Sequence, residues 1–594
     1  MSSKHYYTDE KNTQIVIALL KAHGIRDVVI SPGATNDRFV LSVQGDPDFN
    51  LYSAVDERHA GYLACGMAQE TGRPVVINCT GATASRNYMP ALTEAYYRKL
   101  PVLALTCSQH YSHIGNMYPQ MTDRIHLPAD VVNLSVQCPI PHTKQEEDDC
   151  VLKVNRALLE LHHRGGGPVH VNLETEFSNN YTTERLPVVR KIDRVMAADR
   201  EGWTPIHPGA KVIVWIGSHR KFSQSEQSAL ERFVDSLDAV VLGDVTSNCS
   251  LALRAALLCS QVGISANPAY ASLKPDLIIH IGEISGDYPV FQWLRGKAPV
   301  WRVSEDGELR DFLGKLEKVY EMPEETFFKY YGNDAPSGDD YRALWRRAIS
   351  SVISNKPNCE FSEQWIVNEF SAVIPSGAYV HLGILNPLRC WNAAGEDTTN
   401  GYSTVGGFGI DGGTSSMLGT ALASPDKLNF GVFGDLAFFY DLNSIGSRHL
   451  GKNVRILVIN NGEGGEFSVP GNISDNPYCG ERVHEFIAAE GHYGNKSNVV
   501  LKHLSEDLGF IYLSATDKTS FAESLKKFVD TNVPGPVLFE CFTNVADDRS
   551  ALEGYRHINA CEVNSCGSSL KSFAKNVLPT RVQKVIKVAM GRSV

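Results

Sequence analysis

Two residues whose side chains carry oxygen donors, Asp435 and Asn461, follow two apolar segments of the chain. Asp435 comes just after the apolar run at residues 430–433, and Asn461 just after the run at 454–459. The pattern predicts a βαβ unit, in which the carboxyl ends of neighbouring parallel strands lie side by side, so that the two side chains can meet. A carboxylate, an amide oxygen and a nearby backbone carbonyl suit Mg²⁺, which takes phosphate oxygens as further ligands.

Glycines beside both candidate ligands would let the backbone come close to a diphosphate. The candidates for this contact are Gly434, Leu436, Ala437, Gly464 and Gly465. Two acidic residues interrupt the second loop: we expect Glu463 to belong to the metal site and Glu466 to contact a substrate hydroxyl. The alternative is a strand end with a polar turn and an Asn-Asn-Gly loop.

A second candidate acid, Glu57, stands at the end of the apolar strand predicted at 51–55, where a helix rich in small residues begins. A carboxylate at a helix N-terminus is preorganised where a ligand can approach. A structural helix cap is the alternative interpretation. The turn at 80–84, with Thr80 and Gly81, and the following Asn87 are candidates for the same ligand site, although any strand-to-helix turn favours such small and capping residues.

The composition restricts the class of protein. The 594 residues, 43% of them hydrophobic, predict several domains, and a net charge of −11 argues against a nucleic-acid or anionic-membrane surface. We find no signal peptide and no apolar run of membrane-spanning length, so we expect a cytoplasmic protein. The 13 cysteines include no Cys-x-x-Cys pair and are expected to be reduced core thiols.

Short β-rich runs alternate with helical patterns along the chain, which predicts an α/β fold of three doubly wound parallel-sheet domains. We place the domains at residues 1–190, 205–345 and 360–550, followed by a tail at 551–594 that ends in a helix near 581–589. Glycines after the strands of the second domain are weak candidates for a nucleotide site, and structural turns are the alternative.

The motif formed by Gly434-Asp435-Leu436 and Asn460-Asn461, together with the pattern at 56–68, resembles the signature of thiamine diphosphate enzymes. The resemblance covers essentially the whole chain and identifies the three blocks as pyrimidine-binding, middle and diphosphate-binding domains. It implies that Glu57 shares a proton with the aminopyrimidine of the cofactor, favouring the tautomer that removes the proton from thiazolium C2. It also implies thiamine diphosphate and Mg²⁺ as cofactors, with Gly33, Thr80, Gly81 and Asn87 near the cofactor.

Within this superfamily, the third block looks most like the menaquinone-pathway synthases that add decarboxylated 2-oxoglutarate to isochorismate. By that similarity Ile410 would hold the cofactor bent, and the backbone of Phe408 would accept a hydrogen bond from its amino group. Asn386 would reach the cofactor phosphates, and Arg389 a substrate carboxylate. In the first block Gln120, His110 and His113 are candidates to donate to an oxyanion or to shuttle protons, with surface histidines as the alternative.

The chain departs from those synthases at two expected arginines. The turn at 31–35 ends in Thr35, and the segment at 406–408 carries no arginine. Losing two guanidinium groups removes bidentate recognition of carboxylates, so we expect the same cofactor chemistry with a different acceptor.

The resulting expectation is a 2-oxo acid decarboxylase that joins the remaining fragment to a carbonyl or unsaturated acceptor. The alternatives are a decarboxylase that releases an aldehyde, a catalytically silent cofactor-binding protein, and an enzyme whose middle domain binds flavin or a nucleotide. The expected partners are small-molecule substrates and a second copy of the chain, without nucleic acid or membrane. The family arrangement implies a homodimer or homotetramer in which Glu57 and Asp435 of different subunits face one cofactor.

Overall fold

A computed structural model describes residues 4–199, 201–333, 338–394, 401–492 and 496–558. Its strands form three parallel sheets of six strands each, with helices between the strands. The expected α/β class with three parallel-sheet domains is confirmed, while the helix predicted near 581–589 lies outside the described residues. No helix in the described segments is both long and apolar enough to cross a membrane.

The first sheet has the strand order β2-β1-β3-β4-β6-β5. Its central strands β3 and β4 are buried at every residue, as expected where helices cover both faces of a parallel sheet. Its strands are β1 Asp27–Ile30, β2 Asn50–Ser53, β3 Val75–Cys79, β4 Val102–Ser108, β5 Leu134–Cys138 and β6 Val169–Glu174. The helices of this region are Lys11–Ala22, Asp37–Gln44, Glu57–Thr71, Thr83–Asn87, Met89–Arg98 and Lys144–Glu160.

The chain forms two compact units, Met1–Ile206 with Lys297–Phe327, and His207–Gly296 with Phe328–Val594. The first unit contains the strands β7 Asp193–Met196, β11 Val300–Ser304 and β12 Leu316–Glu321, with β12 paired to both neighbours. The second unit contains β8 Val212–Ile216, β9 Val240–Gly243 and β10 Leu277–Ile281, with β8 between the other two. Helices of this stretch are Gln224–Leu237, Ala256–Cys259, Tyr288–Leu294, Glu324–Tyr331 and Asp340–Ile353.

The third sheet has the order β14-β13-β15-β16-β18-β17. The strands β15 and β16 are direct neighbours, so the residues that follow them meet at one edge of the sheet. Its strands are β13 Tyr379–Leu382, β14 Gly401–Ser403, β15 Asn429–Gly434, β16 Val454–Asn460, β17 Ile511–Ala515 and β18 Val537–Phe542. The helices are Glu363–Ser371, Asn386–Ala394, Gly413–Ala423, Asp435–Tyr440, Arg482–Phe486, Val500–Asp507, Lys518–Phe528 and Val545–Arg556.

Five strands were absent from the sequence-based interpretation: β5, β7, β12, β14 and β17. Four of these, all but β12, lie at the edge of a sheet. An edge strand is only partly covered, so its sequence lacks the continuous apolar run that marks a central strand. The strand β7, for example, has the sequence Asp-Arg-Val-Met and only its valine is buried.

Candidate active site

In the first unit, Glu57 is the first residue of the helix Glu57–Thr71. The preceding Asp56 caps this helix, because its side chain accepts hydrogen bonds from the backbone N–H groups of Arg58 and His59. The Glu57 carboxylate instead accepts a hydrogen bond from the Asn87 amide, with a distance of 3.2 Å between Oε2 and Nδ2. The structural-cap interpretation therefore applies to Asp56, and Glu57 and Asn87 lie together as expected of site residues.

Gly33 and Thr80 are also in direct contact. A Cβ at Gly33 would lie 2.2 Å from Cβ of Thr80, so only glycine fits at this position. The hydroxyl of Thr80 is 2.7 Å from the hydroxyl of Thr35, which donates to the carbonyl of Cys107. Thr35 is 4% exposed, so the residue at one expected arginine position belongs to the packed turn.

A buried arginine, Arg124, contacts the predicted Gly81 turn. Its side chain is held by a 3.0 Å hydrogen bond from Nε to Ser85 Oγ, and a Cβ at Gly81 would lie 2.7 Å from Nη2. Arg124 is 4% exposed, and no group among the described residues accepts a hydrogen bond from its buried Nη2. Burial lowers the pKa of this guanidinium. The sequence interpretation missed Arg124, because nothing in its local pattern marks it as buried.

The loop after β4 places its three candidate residues differently. The carbonyl oxygen of Gln120, a residue with φ of +62°, would lie 3.1 Å from a Cβ at Gly81, so Gln120 adjoins the site through its backbone. His110 lies 2.8 Å from Ser112 Oγ and 3.8 Å from the Glu174 carboxylate. His113 stacks on Tyr118 with ring centroids 3.8 Å apart. Both histidines have partners within their own region, and their catalytic roles stay predictions.

In the second unit, Asp435 begins the helix that follows β15 and is 1% exposed. Its Oδ2 accepts a 3.0 Å hydrogen bond from the backbone N–H of Gly462 and lies 2.9 Å from Nε2 of His492. Asn461 follows β16, and its Nδ2 donates to Asp548 Oδ2 at 3.0 Å. The amide oxygen accepts a 3.3 Å hydrogen bond from the Glu463 N–H and keeps a second lone pair for a ligand. The structure thus brings Asp435 to the loop of Asn461.

The side chain of Glu463 is already used within the protein. Its carboxylate lies 2.5 Å from Nδ1 of His484 and accepts a 3.3 Å hydrogen bond from Ser468. The contact with Glu463 raises the pKa of His484. Glu463 can therefore offer a metal its backbone carbonyl. Within the described ranges no cluster of three or more His, Cys, Asp or Glu side chains could hold a metal, and the oxygen groups that meet here are those of Asp435, Asn461 and the loop backbone.

The glycines of this loop form a cradle. A Cβ at Gly465 would lie 2.9 Å from Nδ2 of Asn461 and 3.2 Å from Nδ2 of Asn386, and one at Gly464 would lie 3.5 Å from Leu436. Gly434 has open space at its Cα, and Ala437 is half-buried. Amide groups beside bare backbone suit the oxygens of a diphosphate, and the hard oxygen donors suit a divalent cation. The residues present therefore fit both groups.

Arg389 and Glu466, the two predicted substrate residues, form an ion pair. The distance between Arg389 Nη2 and Glu466 Oε2 is 2.9 Å, and Arg389 also donates to the Asn386 side chain. A substrate carboxylate would have to compete with Glu466 for this guanidinium. Such competition weakens the affinity for an anion.

Strained backbone surrounds the predicted cofactor contacts. Phe408 has a φ of +54° and Leu385 a φ of +72°, in the left-handed region that costs a non-glycine residue about 1–3 kcal/mol. The Phe408 conformation is held by a 3.0 Å hydrogen bond from its N–H to the carbonyl of Thr404, whose hydroxyl donates to Gly409. Phe408 and Ile410 are partly buried against the core of the third sheet. Strain of this kind clusters at ligand sites.

Three buried carboxyl groups near Asp435 were missed by the sequence interpretation. Burial raises the pKa of Glu363, Glu540 and Asp548. Asp548 accepts hydrogen bonds from Asn461, from the backbone of Glu363 and from the Thr543 hydroxyl. Glu540 accepts from Asn460 and Tyr512. Their partners are far away in the sequence, so no local motif marks them.

Comparison with known proteins identifies relatives of this chain. The family described as thiamine pyrophosphate enzyme, N-terminal TPP binding domain, matches residues 11–127. The 2-succinyl-5-enolpyruvyl-6-hydroxy-3-cyclohexene-1-carboxylate synthase of Bacteroides fragilis is 32% identical over 576 residues, covering 93% of this chain and 99% of the relative. The synthases of that name from Phocaeicola vulgatus and Flavobacterium johnsoniae are 30% and 25% identical, covering 93% and 91% of this chain and 99% and 98% of those relatives.

Proposed function

The chain belongs to the thiamine diphosphate-dependent enzymes, and we propose that it decarboxylates a 2-oxo acid and joins the remaining fragment to a carbonyl or unsaturated acceptor. The resemblance predicted from the sequence motifs is thereby confirmed. When bound, the thiazolium ring of the cofactor accepts the electron pair released as CO₂ departs. The relatives are named as synthases, which supports bond formation after decarboxylation.

The observation that carries the proposal is the short helix Thr83–Asn87, whose side chains contact both a carboxylate and a buried guanidinium. Asn87 donates a hydrogen bond to the Glu57 carboxylate, and Ser85 accepts a hydrogen bond from Arg124. No carboxylate in the part of the chain that the structure describes accepts a hydrogen bond from the buried Nη2 of Arg124, and a buried unpaired charge is costly, so an anionic substrate would stabilise this guanidinium. Glu57 would hold or share the proton needed at the cofactor pyrimidine.

We propose that Asp435, the Asn461 amide oxygen and the Glu463 carbonyl hold Mg²⁺, and that Asn386 and Gly465 lie against the diphosphate. The Asp548 carboxylate keeps the Asn461 amide oriented, as outer hydrogen bonds do at metal sites. The Asp435 carboxylate is in turn fixed by the Gly462 N–H.

We also propose a homodimer or homotetramer in which Glu57 of one subunit and Asp435 of another serve one cofactor. The reason is the family arrangement, which builds each site from two chains. The mass of the particle in solution, measured by light scattering, tests the assembly. A fully active monomer would contradict it.

Purified protein should release CO₂ from at least one member of a panel of 2-oxo acids when supplied with thiamine diphosphate and Mg²⁺, and mass spectrometry should detect an added-carbon product with an acceptor. Glu57→Gln should bind the cofactor and lose about 100-fold or more of this activity. Glu70→Gln, at the exposed far end of the same helix, is the matched control. Unchanged exchange of the cofactor C2 proton in Glu57→Gln would refute the role of Glu57.

A further inference from the structure

A cavity of about 30 Å³ in the second unit, with room for about one hydroxyl group, is lined by residues from four stretches of the chain. Gly286, Asp287 and Tyr288 form one wall, and Leu385, Arg389 and Phe408 form another. A Cβ at Gly286 would lie 2.4 Å from Leu388, so this turn sits directly on the helix that carries Arg389. The Tyr288 and Phe408 rings are in edge contact, with centroids 5.9 Å apart.

The carboxyl of Asp287 in this wall is fixed and buried. It is 3% exposed, and its Oδ1 accepts a 3.2 Å hydrogen bond from the backbone of Val290. No group within the described segments donates to its Oδ2. Its N–H donates to Ser285 Oγ, whose hydroxyl donates to the second buried carboxyl, Asp244. One Asp287 oxygen thus remains for a ligand in a cavity it shares with the proposed substrate residue Arg389.

The charges around the cavity are unfavourable for a carboxylate. Asp244 is close enough to raise the pKa of Asp287, and Arg254, the opposing cation, also donates to the Gly243 carbonyl. Arg389 is neutralised by Glu466 at 2.9 Å. A ligand carboxylate would meet Asp287 while competing with Glu466 for the guanidinium.

We propose that Asp287 is a specificity-determining residue that contacts the acceptor substrate, and that the acceptor is a neutral, hydroxylated carbonyl compound. A hydroxyl group pairs with Asp287 in either protonation state, because it donates to a carboxylate and accepts from a carboxylic acid. An acceptor carboxylate would be repelled by the ionised form. This inference rests on the proposed function, since it assigns the second substrate of that reaction.

The test compares two acceptors, glyceraldehyde and tartronate semialdehyde, that differ in one group. Tartronate semialdehyde has a carboxylate where glyceraldehyde has its terminal hydroxymethyl group. The wild-type protein should show a KM for glyceraldehyde about tenfold or more below that for tartronate semialdehyde. Asp287→Asn should reduce the ratio of the two KM values about tenfold, because the neutral amide does not repel a carboxylate. Asp287→Ser, which keeps a capping oxygen, should do the same and covers a folding failure of the first variant.

Asp517→Asn is the matched control. Asp517 also caps a helix of the second unit, accepting from Thr519 and Ser520, but it is exposed and outside the cavity. It should leave the ratio unchanged. An equal rise in KM for both acceptors in both Asp287 variants would overturn the inference. A wild-type KM that is lower for tartronate semialdehyde than for glyceraldehyde would also overturn it.

A separate binding measurement distinguishes failure of this inference from failure of the proposed function. Absence of CO₂ release from every 2-oxo acid refutes the proposed function. Saturation-transfer NMR with glycerol and glycerate then tests the cavity in the protein loaded with thiamine diphosphate and Mg²⁺. If the wild-type protein binds glycerol more tightly than glycerate and Asp287→Asn does not, the result supports a neutral, hydroxylated ligand. Tighter binding of glycerate by the wild-type protein, or binding of neither compound, overturns the inference.

Discussion

Replacing Asp287 by Asn should change how the stability of the second unit depends on pH. Burial, and then the charge of Asp244, raise the pKa of Asp287 from 3.8 to about 7. Between these values the unfolded chain releases a proton that the folded protein retains, so the free energy of unfolding falls as pH rises. The fall is about 1.4 kcal/mol per pH unit, which gives about 4 kcal/mol in total and no further loss above pH 7.

The Asp287→Asn variant lacks this titration and keeps an oxygen to accept from Val290. Its stability relative to the wild type should therefore improve by about 4 kcal/mol between pH 4 and pH 7.5. Urea unfolding followed by tryptophan fluorescence measures this difference, because Trp293 lies on the helix that Asp287 caps and is in edge contact with Trp345, at 5.1 Å between ring centroids.

Asp517→Asn provides a control with the opposite sign. Hydrogen bonds from the backbone of Ser520 and Thr519 lower the pKa of Asp517, so its contribution to stability is present above the ordinary Asp range and is lost as pH falls through the lowered value. A stability difference between Asp287→Asn and the wild type that stays flat from pH 4 to pH 7.5, or decreases, would refute the assignment of a buried, proton-binding carboxyl.

Three further predictions concern the proposed site. Asp548→Ala should cost about 2–5 kcal/mol of stability, since three donors lose their acceptor, and should weaken Mg²⁺ binding by freeing the Asn461 amide; calorimetric titration with Mg²⁺ measures this. Arg124→Met should raise the thermal midpoint yet increase KM for the 2-oxo acid about tenfold or more, whereas a purely structural arginine would leave KM unchanged. Mixing inactive Glu57→Gln and Asp435→Ala proteins after subunit exchange should restore about a quarter of wild-type activity if sites are shared, and none if each chain holds a complete site.

The sequence predicted best those residues that follow central strands. Asp435 and Asn461 could be paired because two largely apolar runs mark neighbouring strands, and a parallel sheet places their ends together. Edge strands such as β7 and β17 could not be predicted in this way, because each has only one buried residue and lacks a continuous apolar run.

Site residues that act through distant contacts were beyond local patterns. Arg124 meets Ser85 across 39 positions, and Asp548 meets Asn461 across 87. Their burial and pairing follow from how helices and loops return to the sheet. A sequence motif covers only the residues around one turn. The Arg124 guanidinium and the Asp548 carboxyl lie in other segments, which the topology of the sheets brings close to the predicted site residues.

The arrangement of charge explains how the cofactor region can be kept while the substrate changes. Asp435 and Asn461 are fixed by the backbone and by a buried carboxylate, so the geometry of the proposed metal site does not depend on the cavity wall at 286–289. That wall can exchange charged groups at little structural cost, because Asp287 needs only one oxygen to cap its helix. Thr35 at one lost arginine position is committed to packing, and Arg389 is neutralised by Glu466. A second substrate carboxylate therefore finds no uncompensated cation at these two places, which supports the proposed hydroxylated acceptor.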